Sequence, residues 1–414
     1  MIEQVDDFLE DPAREGLLRL TQDQLPKVIE ALGPRLQGEP AFDPEFINWV
    51  AGNIQSLSGG NFSNRQMERV VKVGLAHIDA TFDGDHPKYG VGAYAAPEHD
   101  GFPPTIVAAV DALTLWGLHD RAKQLFSYWL QSFVQDDGSV RYYGTSLSEY
   151  GQLLTTARRV LHRTGDKFWL LDNLTPIKRL AAFVRAVIRD EGRIDLPMGV
   201  PEADESEFGA TYFHNSAWLA RGLFDWSALL RDSLHRDEEA EEVNKEGHEL
   251  RGALIVAMEE AWSEDGWWLR PMREKESPGY FEAPARCITA NRLGSYTNYR
   301  YWPELLGSNV LTSDLATRIV KARLNGGGQH IGVTRFEQHL DDWPLMDYLD
   351  GLRRLGMWED YRISVWGHVF YHQAEGHLTA YEQVTFPPGT KKADYCLPCQ
   401  LVATRATAPR TDDL

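Results

Sequence analysis

Cysteine is nearly absent: 3 residues in 414, at Cys287, Cys396 and Cys399. An odd, sparse count excludes a disulfide framework. The "CLPC" of 396–399 has CxxC spacing, but a four-thiolate zinc site needs a second pair, and no βαβ setting makes it thioredoxin-like. The two read as ordinary semi-buried cysteines, and no spacing of His, Cys or acids predicts a metal site. Positive charge is also short. Lys and Arg number 42 against 61 Asp and Glu, a net charge of -19. That excludes the basic footprint of a nucleic-acid partner and favours a neutral or cationic ligand. No uncharged apolar run approaches the length of a membrane span. The start, "MIEQVDDFLEDPAREG", has no basic n-region leading into an apolar stretch. A soluble, cytoplasmic protein with no membrane partner is expected. Strand signals are confined to short pieces such as "GWWLRPM" and "GVTRF".

What is present is helical periodicity. Apolar residues recur at three and four spacing over 44–57, 63–80, 102–118, 120–134, 147–163 and 167–189. They do so again over 210–234, 238–263, weakly near 299–308, and over 312–325, 343–355 and 357–374. A helical lead-in, 1–40, precedes this domain of 41–414. Short connections such as "TGD" and "GMWED" alternate with long ones at 81–101, 135–146, 190–209, 264–298, 326–342 and 375–394. Short connections join antiparallel neighbours, so strict alternation puts every long loop at one end. The predicted fold is all-α, an (α/α)6 toroid of six helical hairpins. Its long loops are rich in Tyr, Trp, Asp, Glu, His and Arg and poor in Lys, a composition suited to the apolar faces and hydroxyl rims of sugars.

Two stretches then matter. "PEADESEFGATYFHN" packs four carboxylates into six positions ahead of a helix, and "AYEQVTFPP" follows the last predicted helix. With the layout of residues 44 to 400, they make the chain resemble the six-hairpin glycosidases, which include trehalases, glucoamylases and processing glucosidases. "SEFGATYFHNSAW" is similar to the acid-bearing stretch of trehalase-like enzymes, although Ser206 stands where that family has Trp. The resemblance implies that Glu207 is the general acid and that Glu382 is the base. Such an enzyme cleaves an oligosaccharide or polysaccharide with inversion and needs no cofactor.

Each candidate also has a plainer explanation. Glu207, Asp204 and Glu205 stand at a helix start, where carboxylates satisfy orphan N–H groups. Glu382 follows Thr379 at capping-box spacing, as Glu149 follows Ser146. One of Asp341 and Asp342 suits an N-cap before Pro344, leaving the other for a sugar hydroxyl. Tyr142, Tyr143, Tyr212, Arg292, Tyr296, Tyr299 and Trp343 are candidate stacking or hydroxyl-binding groups. His214, one turn into its helix, could reach the cavity and is a further substrate-binding candidate; its plainer reading is a satisfied structural residue. The "NGGGQH" run lacks the Lys-Ser/Thr of a phosphate loop and reads as a helix stop.

Crowding among the four acids would raise the pKa of Glu207 and keep it protonated for donation. Three other functions compete with hydrolysis. A polysaccharide lyase would use Tyr212 or His214 as base beside Asn215 and an arginine. A sugar epimerase would rely on histidines such as His339 or His372. A non-catalytic carbohydrate-binding protein could keep the same fold.

Overall fold

A computed structural model describes residues 65–90, 97–142, 146–202, 209–273, 292–330, 332–336, 339–373, 379–385 and 396–408. The expected helix at 44–57 lies outside them. The chain divides into two compact units. The first takes Met1–His77, Gly279–Gly307 and Ser313–Asp413, and the second takes Ile78–Pro278 and Ser308–Thr312.

The second unit is built from helices α2 (Pro103–Leu115), α3 (His119–Phe133), α4 (Leu147–Thr164), α5 (Lys167–Asp172), α6 (Leu174–Val187), α7 (Phe213–Asp232) and α8 (Asp237–Ala261). Two-residue hairpins, β1 (Phe82–Asp83) with β2 (His86–Pro87) and β3 (Arg189–Asp190) with β4 (Arg193–Ile194), sit in its loops. Leu147, Tyr150, Leu153, Leu154, Ala157, Val160 and Leu161 form a buried stripe on α4 at three and four spacing. One helix expected over 167–189 is two. Asn173 separates them, its Nδ2 donating to Trp169 O at 2.9 Å and to Ser127 Oγ at 3.0 Å. That side chain competes with helical bonding, and Pro176 suits the first turn of the restarted helix. The short "TGD" connection ends α4 on Gly165, left-handed at φ 67°, whose N–H caps Leu161 O at 2.8 Å.

Two glycines set the spacing of α4 and α7. A Cβ on Gly151 would stand 1.9 Å from the carbonyl oxygen of Trp218. One on Gly222 would stand 2.8 Å from Gly151 Cα. The two backbones therefore meet where neither helix carries a side chain. Further along the same interface, Asp225 accepts from Arg158 at 2.6 Å and from Arg221 at 2.7 Å. Burial opposes its ionisation, but the two guanidiniums prevail and hold its carboxyl below the usual range. At the opposite end of α4 the long connections meet. Ser146 bridges Val200, Gly199 bridges Ala210, and Tyr212 bridges Met272. Within this unit the alternation of short and long loops has the consequence expected from the sequence.

The first unit holds α1 (Arg65–Thr81) as far as His77, α9 (Arg292–Gly307), α10 (Ser313–Asn325), α11 (Leu345–Arg354), α12 (Trp358–Tyr371) and two short helices, α13 (Leu397–Gln400) and α14 (Val402–Ala406). The helix read only weakly near 299–308 is 16 residues long. Pro303 inside it removes a backbone donor and blurs the periodic signal. The loops of this unit contain a four-stranded antiparallel sheet, ordered β5 (Gln329–His330), β6 (Val333–Phe336), β7 (His339–Asp341) and β8 (Gln383–Thr385); β6 falls on the "GVTRF" strand signal, and the pairing of four strands is what was not expected. Register pairs Asp341 with Gln383 and Leu340 with Val384. Residues more than 40 positions apart thus become neighbours.

Gly151→Ala should destabilise the second unit by about 1–3 kcal/mol or more, the usual cost of forcing volume into a packed contact. A chemical-denaturation midpoint unchanged from wild type would show that the helices are free to part there.

Candidate functional site

In the second unit, Asn215 in the first turn of α7 joins three segments. Its Oδ1 accepts from Ser146 Oγ and from the Ser148 N–H, both at 2.9 Å, and its Nδ2 donates to Val200 O at 2.9 Å. His214 donates from Nε2 to Pro201 O at 2.9 Å, which fixes its tautomer. It is fully buried, as the structural reading of it expects. Ser146 makes no side-chain cap bond, because its hydroxyl is committed to Asn215 and Ser148. The capping box expected for Glu149 therefore does not form, and Glu149 is buried in the first turn of α4. Glu202, the first acid of the crowded run and not among the residues singled out from the sequence, is buried as well.

The ends of the acidic loop are pinned by the Gly199–Ala210 bridge, while Asp204, Glu205 and Glu207 lie outside the described residues. So does Tyr143. Tyr212 is the residue before α7 and has no exposed surface, so it supports the wall instead of stacking on a ligand. Tyr142 is half-buried, bonded to His99 Nδ1 at 3.2 Å and packed on Phe102. It lines an open cleft of about 510 Å³ with His86, Asp100, Phe133 and Arg141. Long connections 81–101 and 135–146 share that cleft.

In the first unit the sheet gathers the other candidates. Asp341 accepts from the Trp343 N–H and from Gln383 Nε2, each at 3.0 Å. The Asp342 N–H donates to Glu382 O at 3.2 Å, which places Glu382 beside both aspartates at the head of β8. Neither aspartate is a side-chain N-cap. Pro344 occupies that position before α11, and Asp341 instead closes a local turn onto Trp343. Thr379 does not cap either: its hydroxyl meets His77 Nε2 at 3.2 Å, and the chain after it is strand. The capping explanation for Glu382 is thereby removed. Trp343 is half-buried under the guanidinium of Arg300, 5.5 Å from the ring centroid. Arg292, Tyr296 and Tyr299 belong to α9, but their side chains are outside the described residues.

Asp342 also meets two buried histidines. His368 Nδ1 is hydrogen-bonded to Oδ2, and His372 Nε2 lies 3.3 Å from Oδ1. The imidazoles stack with centroids 6.0 Å apart. His372 Nδ1 donates to Tyr381 O at 2.6 Å, so neutral His372 turns a lone pair towards Asp342. A proton on one of the two groups relieves that encounter. Burial supplies it by pushing the Asp342 carboxyl up to about 7, while His372 opposes the rise. Burial also raises Asp341 and pushes His368 down to about 3. His368 and Gln383 are contributors that the sequence reading missed. The i, i+4 spacing of His368 and His372 was the available signal, since it sets both on one helix face. His339 is half-buried at the start of β7, apart from the helix that carries this stacked pair.

No family model matches the chain, and no curated protein sequence does. Solved structures do. A wild-type glycosidase aligns at a TM-score of 0.55 and 10% identity, over 83% of this chain and 97% of its own. A GH63 mannosylglycerate hydrolase from Thermus thermophilus, in complex with Tris and D-glycerate, aligns at 0.55 and 11%, over 81% and 99%. A rhamnosidase from Klebsiella oxytoca with rhamnose bound aligns at 0.57 and 11%, over 84% of this chain and 64% of that one. The chain has the all-α fold of the (α/α)6 six-hairpin glycosidases. Among the described residues, no helix is long and apolar enough to cross a membrane.

The buried triad has a pH signature. Asp342, raised to about 7, takes up a proton on folding and loses stability as pH climbs from its unfolded value through that point. His368, lowered to about 3, gives one up and gains stability as pH climbs to its unfolded value. From about pH 4 to about pH 6.5 the two slopes oppose each other. Asp342→Asn removes one of them, so the stability difference, variant minus wild type, should rise with pH there by up to about 1.4 kcal/mol per unit. Urea midpoints giving a pH-independent difference would contradict this.

Proposed function

We propose that this protein is a glycoside hydrolase in which Glu207 acts as general acid and Glu382 as general base, with inversion at the anomeric carbon. The observation that carries the reading is the convergence of Glu382, Asp341, Asp342, Trp343 and Arg300 on one end of a sheet, in a chain with a glycosidase fold. Glu382 is half-buried at the head of β8, and its backbone carbonyl accepts from the Asp342 N–H. A base must be ionised and positioned at once, and a strand terminus bonded to its neighbour positions it. Asp341 and Asp342 are too deeply committed to touch substrate directly, and they fix the backbone that presents Glu382 and Trp343. The exposed part of the Trp343 ring offers an apolar face to a sugar, with Arg300 backing it.

Glu207 is the acid by its likeness to the trehalase-type stretch. The described residues on either side of it are anchored, Gly199 bridged to Ala210 and Pro201 O bonded to His214 at the start of α7. Oligosaccharides are the substrate class, in keeping with the sugar-processing names and bound rhamnose of the similar structures. The acidic net charge of -19 favours neutral over uronic-acid polymers. The epimerase alternative finds little support, because His372 is fully buried and engaged with Tyr381 O and Asp342.

Release of reducing ends from a panel of neutral oligosaccharides, with the anomer of the product read by proton NMR, tests the assignment. Glu207→Gln and Glu382→Gln should each lower turnover by roughly two to four orders of magnitude while the fold is retained. Full activity in either variant would remove that residue from its role, and a retained anomer would exclude inversion. Trp343→Ala and Tyr142→Ala should each weaken substrate binding by about 1–3 kcal/mol, with turnover affected less. Unchanged affinity in both would discard the aromatic platform.

A further inference from the structure

The "CLPC" pair is not semi-buried. Cys396 and Cys399 have no exposed surface, and their sulfurs lie 3.1 Å apart. A third donor reaches them from a different part of the chain. Ligand atoms of Glu382, Cys396 and Cys399 all lie within 4.8 Å of one another. We propose that Cys396, Cys399 and Glu382 form a binding site for a single thiophilic divalent ion, with Zn2+ the best match. Two sulfurs and one carboxylate oxygen leave a fourth tetrahedral position for water.

The geometry suits this ion. Zinc at about 2.3 Å from each sulfur sets the sulfurs about 3.8 Å apart, a modest opening of the present pair that side-chain rotation can supply. The donors come from elements already locked together. Gln400, on the same short helix as Cys399, receives the Ala380 N–H at 2.8 Å and donates back to Ala380 O. That two-point contact clamps the strand leading to Glu382 against the CxxC turn. The Asp342 N–H holds the Glu382 carbonyl from the other side. A preset donor cage of this kind limits the ordering cost of binding.

A disulfide would account for two sulfurs in contact but not for a carboxylate held against them. A divalent ion accounts for all three. Binding would replace both thiol protons: M2+ joins two S–H groups and one carboxylate, and two H+ leave with no change of oxidation state. Two thiolates select zinc over magnesium or calcium.

An ion bound here would occupy the carboxylate that the hydrolase reading uses as base, so the two roles belong to the metal-bound and the metal-free chain; the test needs no substrate, and its failure is separate from failure of the hydrolase reading. The full chain, purified under reductant without chelator, should carry about one zinc by elemental analysis or accept one Co2+. Cobalt should produce thiolate-to-metal charge-transfer absorption and intense tetrahedral bands, with two protons released per ion. Cys399→Ser should abolish the charge-transfer band, and Glu382→Gln should weaken Co2+ binding at least about tenfold while leaving the fold intact. Absence of a thiolate band in the wild-type chain would overturn the proposal without recourse to any variant. So would a band that survives Cys399→Ser, or a native mass two hydrogens short, which marks a Cys396–Cys399 disulfide.

Discussion

The second unit depends on the contact between Gly151 and Gly222. With no side chain at either position, α4 and α7 approach until the backbone of one lies against the other. Everything polar at their N-termini follows from that approach. Ser146 and Ser148 come within reach of Asn215, and the carbonyls of Val200 and Pro201 fall to Asn215 and His214. Ser146, Ser148, His214 and Asn215 are deeply buried, and a polar group buried there would cost about 1–3 kcal/mol if left without its partner. The junction therefore tolerates little drift. The salt bridge of Asp225 with Arg158 and Arg221 fixes the same helix pair further along.

In the first unit a sheet does the corresponding work. Four short strands bring the 329–341 segment against 383–385, and the register sets Asp341 beside Gln383. The carboxylates there differ sharply in circumstance. Asp341 and Asp342 are fully buried and pushed towards their neutral forms, while Glu382 keeps contact with solvent. Burial is the main cause for both aspartates, and the Asp342 charge adds to the rise of Asp341.

Helices and their order were legible in the sequence because amphipathic periodicity is local. Buried stripes such as Leu147, Tyr150, Leu154 and Leu161 declare themselves within one window. Asn173 and Pro303 show the limits of that signal. One splits a helix through a side-chain bond to Ser127, and the other weakens the pattern of a helix that still forms. Of the sheet only β6 was legible, as the "GVTRF" strand signal; its pairing was not, since two- to four-residue strands exist as a sheet only through partners in other segments. The same reason hid the third donor of the CxxC pair. Glu382 could be singled out by likeness to a motif, and Cys396 and Cys399 by spacing, but only folding brings 382 to 396. Asp342 with His368 and His372 is a further case, joined across 26 residues or more.

The Gly199–Ala210 bridge has an evolutionary side. It closes the base of the acidic loop with paired backbone bonds, both 2.9 Å, before the chain enters α7. Closure at 199 and 210 means that the entry angle of α7 is set by that backbone pair and not by the sequence it encloses. For a closed loop, each doubling of length costs only about 0.6 kcal/mol of closure entropy. The two helices are thus insulated from what evolution does to the segment between the paired residues.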